Sequence, residues 1–450
     1  MTSPRARFTN RLEVLGRALD RAQQHAQTLA RRENQFAFAR LVITILLLAT
    51  MAALFEKATL GLRIQMALIF VAILIFAGLA HQKLKKKARQ WANLQASYTL
   101  TQLRLKRNFK EIQEHVSPWH KTIAEEQQAA HPYATDLDIA SNTFTLLNSC
   151  STKRGSKKLF ENLLSAGITP LSTEERTLRH ARIKKLSAQT PFLRRHETLR
   201  MNADFITDGD TQAPASDHLT FETLFSRRRI TAVVSAIIIG CLGWAVLLIP
   251  AILEYIRNSS SENLYHSVII YAVIPAFGAI IFKPISDFGE TLRQRTLMLE
   301  LMLKTIHVLK SEPAFKDFNC LQDNALQSFR RLKFGLNLLS VRNNPVLWLA
   351  LHAFLPYDAI ACAVLLATSR KIAKALPVWE QEITEFDVLC ALARFQWENP
   401  HCGLFEANNE PFCATQLGHP LLSPMSMIEN DFAFSPENPM VLLTGSNMSG

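Results

Sequence analysis

No C-x-x-C pair occurs in the 450 residues, and the seven cysteines, at 150, 241, 320, 362, 390, 402 and 413, are odd in number and scattered. This excludes a disulfide framework and a zinc site of the paired-cysteine kind, and predicts reduced, mostly buried thiols. A cleavable signal peptide is also missing, because forty Arg-rich residues, including Arg31 and Arg32, precede the first apolar run. Acidic residues are in deficit: 38 Asp+Glu against 50 Lys+Arg leave a net charge of +12. That excess admits anionic partners, namely nucleic acid, nucleotide or lipid headgroups. It equally admits basic residues gathered on one side of membrane spans, which accounts for the larger share. No metal-ligand cluster and no catalytic pair of carboxylates stands out.

What is present in quantity is apolar sequence. Hydrophobic residues make up 48% of the chain, and the mean hydropathy of +0.06 is high for a purely soluble protein. The length suits about two or three domains. Leu41 to Phe55 and Met66 to Ala80 are charge-free runs separated by a polar break, Glu56 to Arg63. Arg31, Arg32 and Arg40 precede the pair; Lys83, Lys85, Lys86, Lys87 and Arg89 follow it. Ile230 to Leu253 and Leu264 to Phe282 form a second pair, bracketed by Arg227-Arg-Arg229 and Lys283. The expectation is two transmembrane hairpins, four spans in all, in the cytoplasmic membrane with both termini cytoplasmic. A buried helical hairpin is the alternative for the first pair. Val346 to Thr368 is also apolar but holds His352, Pro356 and Asp358, and reads as a buried segment.

The rest of the chain carries helical periodicity. In residues 1–40, Leu12, Leu15, Leu19 and Ala22 share one face. A solvated leader helix is the favoured reading and a membrane-surface or partner helix the alternative. Residues 88–129 read as one long amphipathic helix through Trp91, Leu94, Tyr98, Leu105, Phe109 and Ile112. Its Arg104, Lys106, Arg107 and Lys110 read as a basic face, solvated in the favoured reading and set near phospholipid or nucleic acid in the alternative. Residues 136–164 read as a short helix, a turn containing Gly155, and a second helix packing through Leu159, Leu163 and Leu164. Residues 285–310 are amphipathic through Leu292, Leu299, Met302, Leu303 and Ile306. Trp379 to Phe395 is a helix with Trp379, Ile383, Phe386, Leu389, Cys390 and Phe395 on one side, stopped by Asn399-Pro400. Its Glu382, Glu385 and Asp387 read as structural. Residues 401–439 read as short strands and turns.

The C-terminal stretch carries the chemistry. Met440-Val-Leu-Leu443 is a strand-like apolar run, and Gly445 and Gly450 follow with four residues between them. That is the front of a phosphate-binding loop, G-x-x-x-x-G-K-[S/T], whose glycines let backbone N–H groups converge on phosphate oxygens. The expected Lys and Ser/Thr would come after Gly450.

Thr444-Gly445-Ser446-Asn447-Met448-Ser449-Gly450 resembles the T-G-P-N-M-G-G core of the MutS mismatch-repair ATPases. It is closer still to the T-G-S-N-M-S-G variant of their membrane-associated branch. Gly418-His419-Pro420 resembles the family's G-x-H-P segment, and Met427-Ile428-Glu429-Asn430-Asp431-Phe432 its F-V-P-N-D-L segment. Asn148, Gly155 and Lys158-Leu159 resemble the start of its core domain. The resemblance covers roughly 130–225 and 285–450. It implies ATP and Mg²⁺ as cofactors of the intact family member, with Gly445, Ser446, Asn447, Met448, Ser449 and Gly450 facing phosphate and Met427 and Ile428 on the adenine side. His419, Pro420, Asn430 and Asp431 are implied as motif residues with structural roles. DNA is the implied partner and a homodimer the implied state of the full-length protein. The family's N-terminal mismatch-reading domain has no counterpart, since the apolar runs occupy that end.

The expected fold is therefore mainly α: a helical MutS-like core and lever with two transmembrane hairpins, then the first strands of a truncated α/β P-loop ATPase domain. The expected segments are a basic leader 1–40, hairpin 41–80, cytoplasmic helical region 81–229, hairpin 230–283, lever 284–400 and ATPase start 401–450. The expected function is a membrane-anchored, ATP-binding and DNA-binding switch, catalytically incomplete within these residues. An ATP-coupled transport subunit and a non-catalytic membrane scaffold are the alternatives.

Overall fold

The computed structural model describes residues 4–55, 60–115, 133–165, 171–200, 325–339, 375–403 and 412–435, together with isolated positions between 231 and 253, between 315 and 367, and at 440. The described residues are mainly helical, with one small two-stranded sheet. Two compact units are present, Met1–Ile206 with Val388–Gly450, and Thr207–Asp387.

The first unit begins with two long helices, α1 (Pro4–Phe55) and α2 (Leu60–Lys106), packed against each other as a hairpin. Phe8, Leu15 and Ala22 of α1 are buried with Tyr98 and Leu105 of α2, and Leu12, Leu19, Trp91 and Leu94 pack around them. The leader is therefore not the solvated helix favoured from sequence: its apolar face packs on α2. Rings lock the register along the pair: His25 lies on Trp91 at 4.5 Å and Phe36 on His81 at 6.1 Å.

The expectation of an integral membrane protein with four spans is corrected here. Among the described residues no helix is long and apolar enough to cross a membrane. The charge-free runs 41–55 and 66–80 are the ends of α1 and α2, whose remaining lengths are polar. Fifteen residues rise only about 22 Å as a helix, short of the roughly 30 Å hydrocarbon thickness. Phe38, Leu41, Phe76 and Leu79 are exposed on this hairpin. Of the second apolar pair, 230–253 is described only at scattered positions and 264–282 lies outside the described residues.

The single helix foreseen over 88–129 is two. After α2 the chain breaks at Arg107, and α3 (Phe109–His115) follows. Asn108 starts α3: its Oδ1 accepts from Glu111 N–H at 3.4 Å and its Nδ2 donates to Glu111 Oε1 at 2.6 Å. This Asn-x-x-Glu pattern satisfies a first-turn N–H that would otherwise lack a partner. Residues 116–132 lie outside the described residues.

A π-helical turn, Ile139–Thr143, runs into α4 (Phe144–Leu147) and then α5 (Lys153–Ser165). Gly155 does not form the turn, as the sequence suggested; it is buried inside the first turn of α5. Asn148 makes the turn: its Oδ1 accepts from Cys150 N–H at 3.3 Å and from the Ser156 hydroxyl at 3.0 Å. Phe144 and Phe160 meet edge to face at 4.8 Å. They anchor a core that includes Leu159, Leu164, Val388 and Ala391.

Helices α6 (Thr173–Ser187) and α7 (Thr190–Arg200) follow, α6 opened by a Ser172–Glu175 capping box. In the second unit, α8 (Ala325–Leu339) lies against Leu365. A Cβ on Gly335 would come within 3.3 Å of the Leu365 backbone, so glycine permits the close approach. Helix α9 (Leu376–Glu398) buries Trp379, Ile383, Phe386, Leu389 and Cys390 and stops before Asn399-Pro400, as the sequence predicts. Strands β1 (Cys413–Leu417) and β2 (Asn430–Ala433) pair antiparallel, with a register shift between Ala414 and Leu417.

Candidate functional site

Four ionisable side chains from three helices meet in the interior of the first unit. Arg104 of α2, Glu197 of α7, and Arg394 and Glu398 of α9 are each at most 4% exposed. Arg104 Nε donates to Glu398 Oε1 at 3.0 Å and Oε2 at 3.2 Å, and its Nη2 donates to Glu197. Arg394 Nε donates to Glu398 Oε1 at 3.2 Å, and its Nη2 pairs with Glu197. The Ser97 hydroxyl donates to Glu197, and Arg394 adds bonds to Thr101 Oγ1 at 2.5 Å and the Leu193 carbonyl at 3.2 Å. Two cations and two anions balance, which is the condition on which charges tolerate such burial.

The electrostatics follow from that geometry. Burial pushes the Glu197 carboxyl up, but Arg104, Arg394 and the Ser97 hydroxyl outweigh it and hold Glu197 below the usual carboxylate range. Burial works against the Arg104 charge, yet both carboxylates overcome it and raise its pKa. Arg394 is lowered by burial and by Arg104, which together outweigh Glu197 and Glu398. Arg104 Nη1 is buried without a hydrogen-bond partner.

Beside this lattice the C-terminus of α9 is gripped by two further arginines. Arg11 donates to the carbonyls of Trp397 and Glu398 and lies over the Trp397 ring at 4.6 Å. These are the carbonyls a helix leaves unpaired, at the negative end of its dipole. Arg107 donates to Asn399 Oδ1 at 2.8 Å and to the Pro420 carbonyl at 2.8 Å. Next to them, burial, Arg107 and Arg11 lower the His401 pKa against the pull of Glu429. Burial and Glu429 raise the Cys402 thiol against Arg107, which keeps it protonated and poorly nucleophilic.

The residues singled out from sequence fall on the strand hairpin next door or beyond it. His419 is exposed and its Nδ1 accepts from Leu421 N–H at 3.3 Å; Pro420 supplies the carbonyl bound by Arg107. Asn430 opens β2 opposite Leu417. Asp431 Oδ1 accepts from Gln416 N–H at 2.8 Å and holds the left-handed Gln416, φ 53°, in the irregular part of β1. Met427 is half-buried with its thioether against Gly418, where an added Cβ would lie 2.5 Å from the sulfur. Ile428 is 76% exposed. Residues 445–450, expected from sequence to form a phosphate loop, lie outside the described residues. Among the described residues no group of three or more His, Cys, Asp or Glu could hold a metal.

Sequence reasoning missed the lattice. Arg104 read as part of a solvated basic face, but it is 1% exposed. The one signal was its setting among Leu100, Leu103 and Leu105, all buried. Glu197 and Glu398 stand 93 and 294 residues away, so no local pattern names them.

Comparison with known proteins finds no matching family model, no matching curated protein and no matching solved structure.

Proposed function

We propose that residues 388–450 are the end of the lever and the opening of the nucleotide module of a MutS-like ATP-dependent switch, and that the helices of residues 4–200 are the body it works against. The observation that carries this reading is the ordered set of motifs Gly418-His419-Pro420, Met427 to Asp431 and Thr444 to Gly450. The geometry is compatible with it. The first two motifs lie on one strand hairpin, downstream of a helix whose end is gripped by Arg11 and Arg107.

In this reading the backbone N–H groups of Gly445 to Gly450 face phosphate. The fit on the adenine side is met by one residue of two. Ile428 is an exposed apolar surface suited to a purine ring, whereas the Met427 thioether is already spent on Gly418. Bound Mg²⁺ would offset phosphate charge, and that chemistry belongs to a loop that continues into Lys and Ser/Thr. DNA is the proposed macromolecular partner, on the strength of the same motifs.

Nucleotide binding tests the reading directly. The 450-residue chain is expected to bind Mg-ATP weakly or not at all and to show no turnover. A chain continued past Gly450 with Lys-Ser or Lys-Thr and the remainder of such a domain should bind it and turn it over. Failure of the continued, folded chain to bind nucleotide would overturn the assignment, as would turnover by residues 1–450 once contaminating ATPases are excluded.

A further inference from the structure

Helix α2 ends in a way that ordinary backbone preference does not favour. Asn108 N–H donates to the Leu103 carbonyl at 3.1 Å and Arg107 N–H to the Arg104 carbonyl at 3.1 Å, closing the helix through a left-handed residue. That residue is Arg107, with φ 56°. Glycine is the usual occupant of this place because it has no Cβ to collide with the backbone. An arginine there carries strain, so its side chain is the feature to explain.

The side chain spends all three guanidinium nitrogens on three separate segments. Nη1 returns to the Arg104 carbonyl at 2.7 Å, at the end of α2. Nη2 reaches Asn399 Oδ1 at 2.8 Å, just past α9. Nε reaches the Pro420 carbonyl at 2.8 Å, in the β1–β2 connection. Asn399 is itself fixed: it is fully buried and its Nδ2 donates to the Phe395 carbonyl at 2.9 Å. The Arg104 whose carbonyl is bound is the same residue that carries the buried lattice. A two-stranded sheet is marginal by itself, and most of the described residues of the β hairpin are exposed.

We propose that Arg107 is a latch that couples the position of the β1–β2 hairpin to the end of α2 and, through Arg104, to the buried lattice. Its left-handed backbone aims the planar fork at both neighbours at once. Displacement of the hairpin must break the Pro420 bond and release a strained residue, so hairpin movement and the α2 terminus are linked. This goes beyond the ATPase reading and does not depend on it: the latch acts whatever moves the hairpin.

Hydrogen exchange on the full chain tests it, comparing wild type with Arg107→Gly and Arg107→Lys. Glycine keeps the left-handed backbone accessible, so the substitution removes the fork without adding strain. Lysine keeps the charge but cannot serve the three acceptors in one plane. Amides of 413–417 and 430–433 should exchange about tenfold faster in both variants, because local opening no longer breaks the latch. Amides of α5, which supplies none of the three acceptors of Arg107, should stay within about twofold of wild type. Unchanged exchange in the hairpin of Arg107→Gly overturns the proposal. So does wild-type protection in Arg107→Lys, which would reduce the residue to a point charge. Equal acceleration in α5 and the hairpin, or failure of both variants to fold, also overturns it, since Arg107 would then support the fold at large.

Discussion

Glu197 gives up all contact with water and is repaid by two guanidiniums and a serine hydroxyl. Breaking such a set from one side costs far more than never having built it, because the remaining charges stay buried and short of partners. Glu197→Gln should destabilise the protein by about 3 kcal/mol or more, measured by denaturant unfolding at neutral pH. The same carboxylate makes stability depend on pH. Its pKa in the folded protein lies below the unfolded value, so the protein binds fewer protons at this site than the unfolded chain does. The contribution is therefore complete above the unfolded pKa of about 4.3 and is lost as pH falls through the lower folded value. Melting temperature should drop more steeply with acid in the wild type than in Glu197→Gln below about pH 4. Parallel curves would show that Glu197 is not the group being titrated.

At the scale of elements, local signals and packing signals part company. The end of α9 at Asn399-Pro400 and the face of α1 could be read from the chain, since proline restriction and a 3.6-residue period act within a few residues. The break between α2 and α3 was also written locally, in Asn108-Phe-Lys-Glu111, but the hydrophobic period running through it masked the cap. Gly155 misled for a related reason: glycine suggests a turn, yet here it sits in the first turn of α5, with its N–H bound to Thr152 Oγ1 at 2.9 Å. The packing of α4 on α5 centres on Phe144 and Phe160, neither measurably exposed. Phe160→Ala should cost about 3–5 kcal/mol through the lost transfer energy and the cavity left behind. A loss under about 1 kcal/mol in equilibrium unfolding would mean that the core closes over the gap.

For the molecule as a whole, the net charge is +12, and among the described residues Lys and Arg fall on α1, α2, α5, α6 and α7. Diffuse charge of this kind binds polyanions through counterion release and reads no base. Binding to DNA is therefore expected to be weak, to fall steeply with salt, and to be equal for matched and mismatched duplexes. A titration of both duplexes across salt concentrations checks this; a clear preference for the mismatch would require a reading element that none of these residues was assigned.

The sequence by itself determined the helical character of the chain, several helix ends and the motif order from Gly418 to Gly450, because each is set by neighbours a few positions apart. It could not determine that Arg104 is buried, since its partners lie on α7 and α9 and only folding brings them together. Nor could run length alone decide the fate of the apolar segments 41–55 and 66–80. Hydropathy reports what a segment avoids, while its place at the ends of two long paired helices was decided by the tertiary packing of their polar halves.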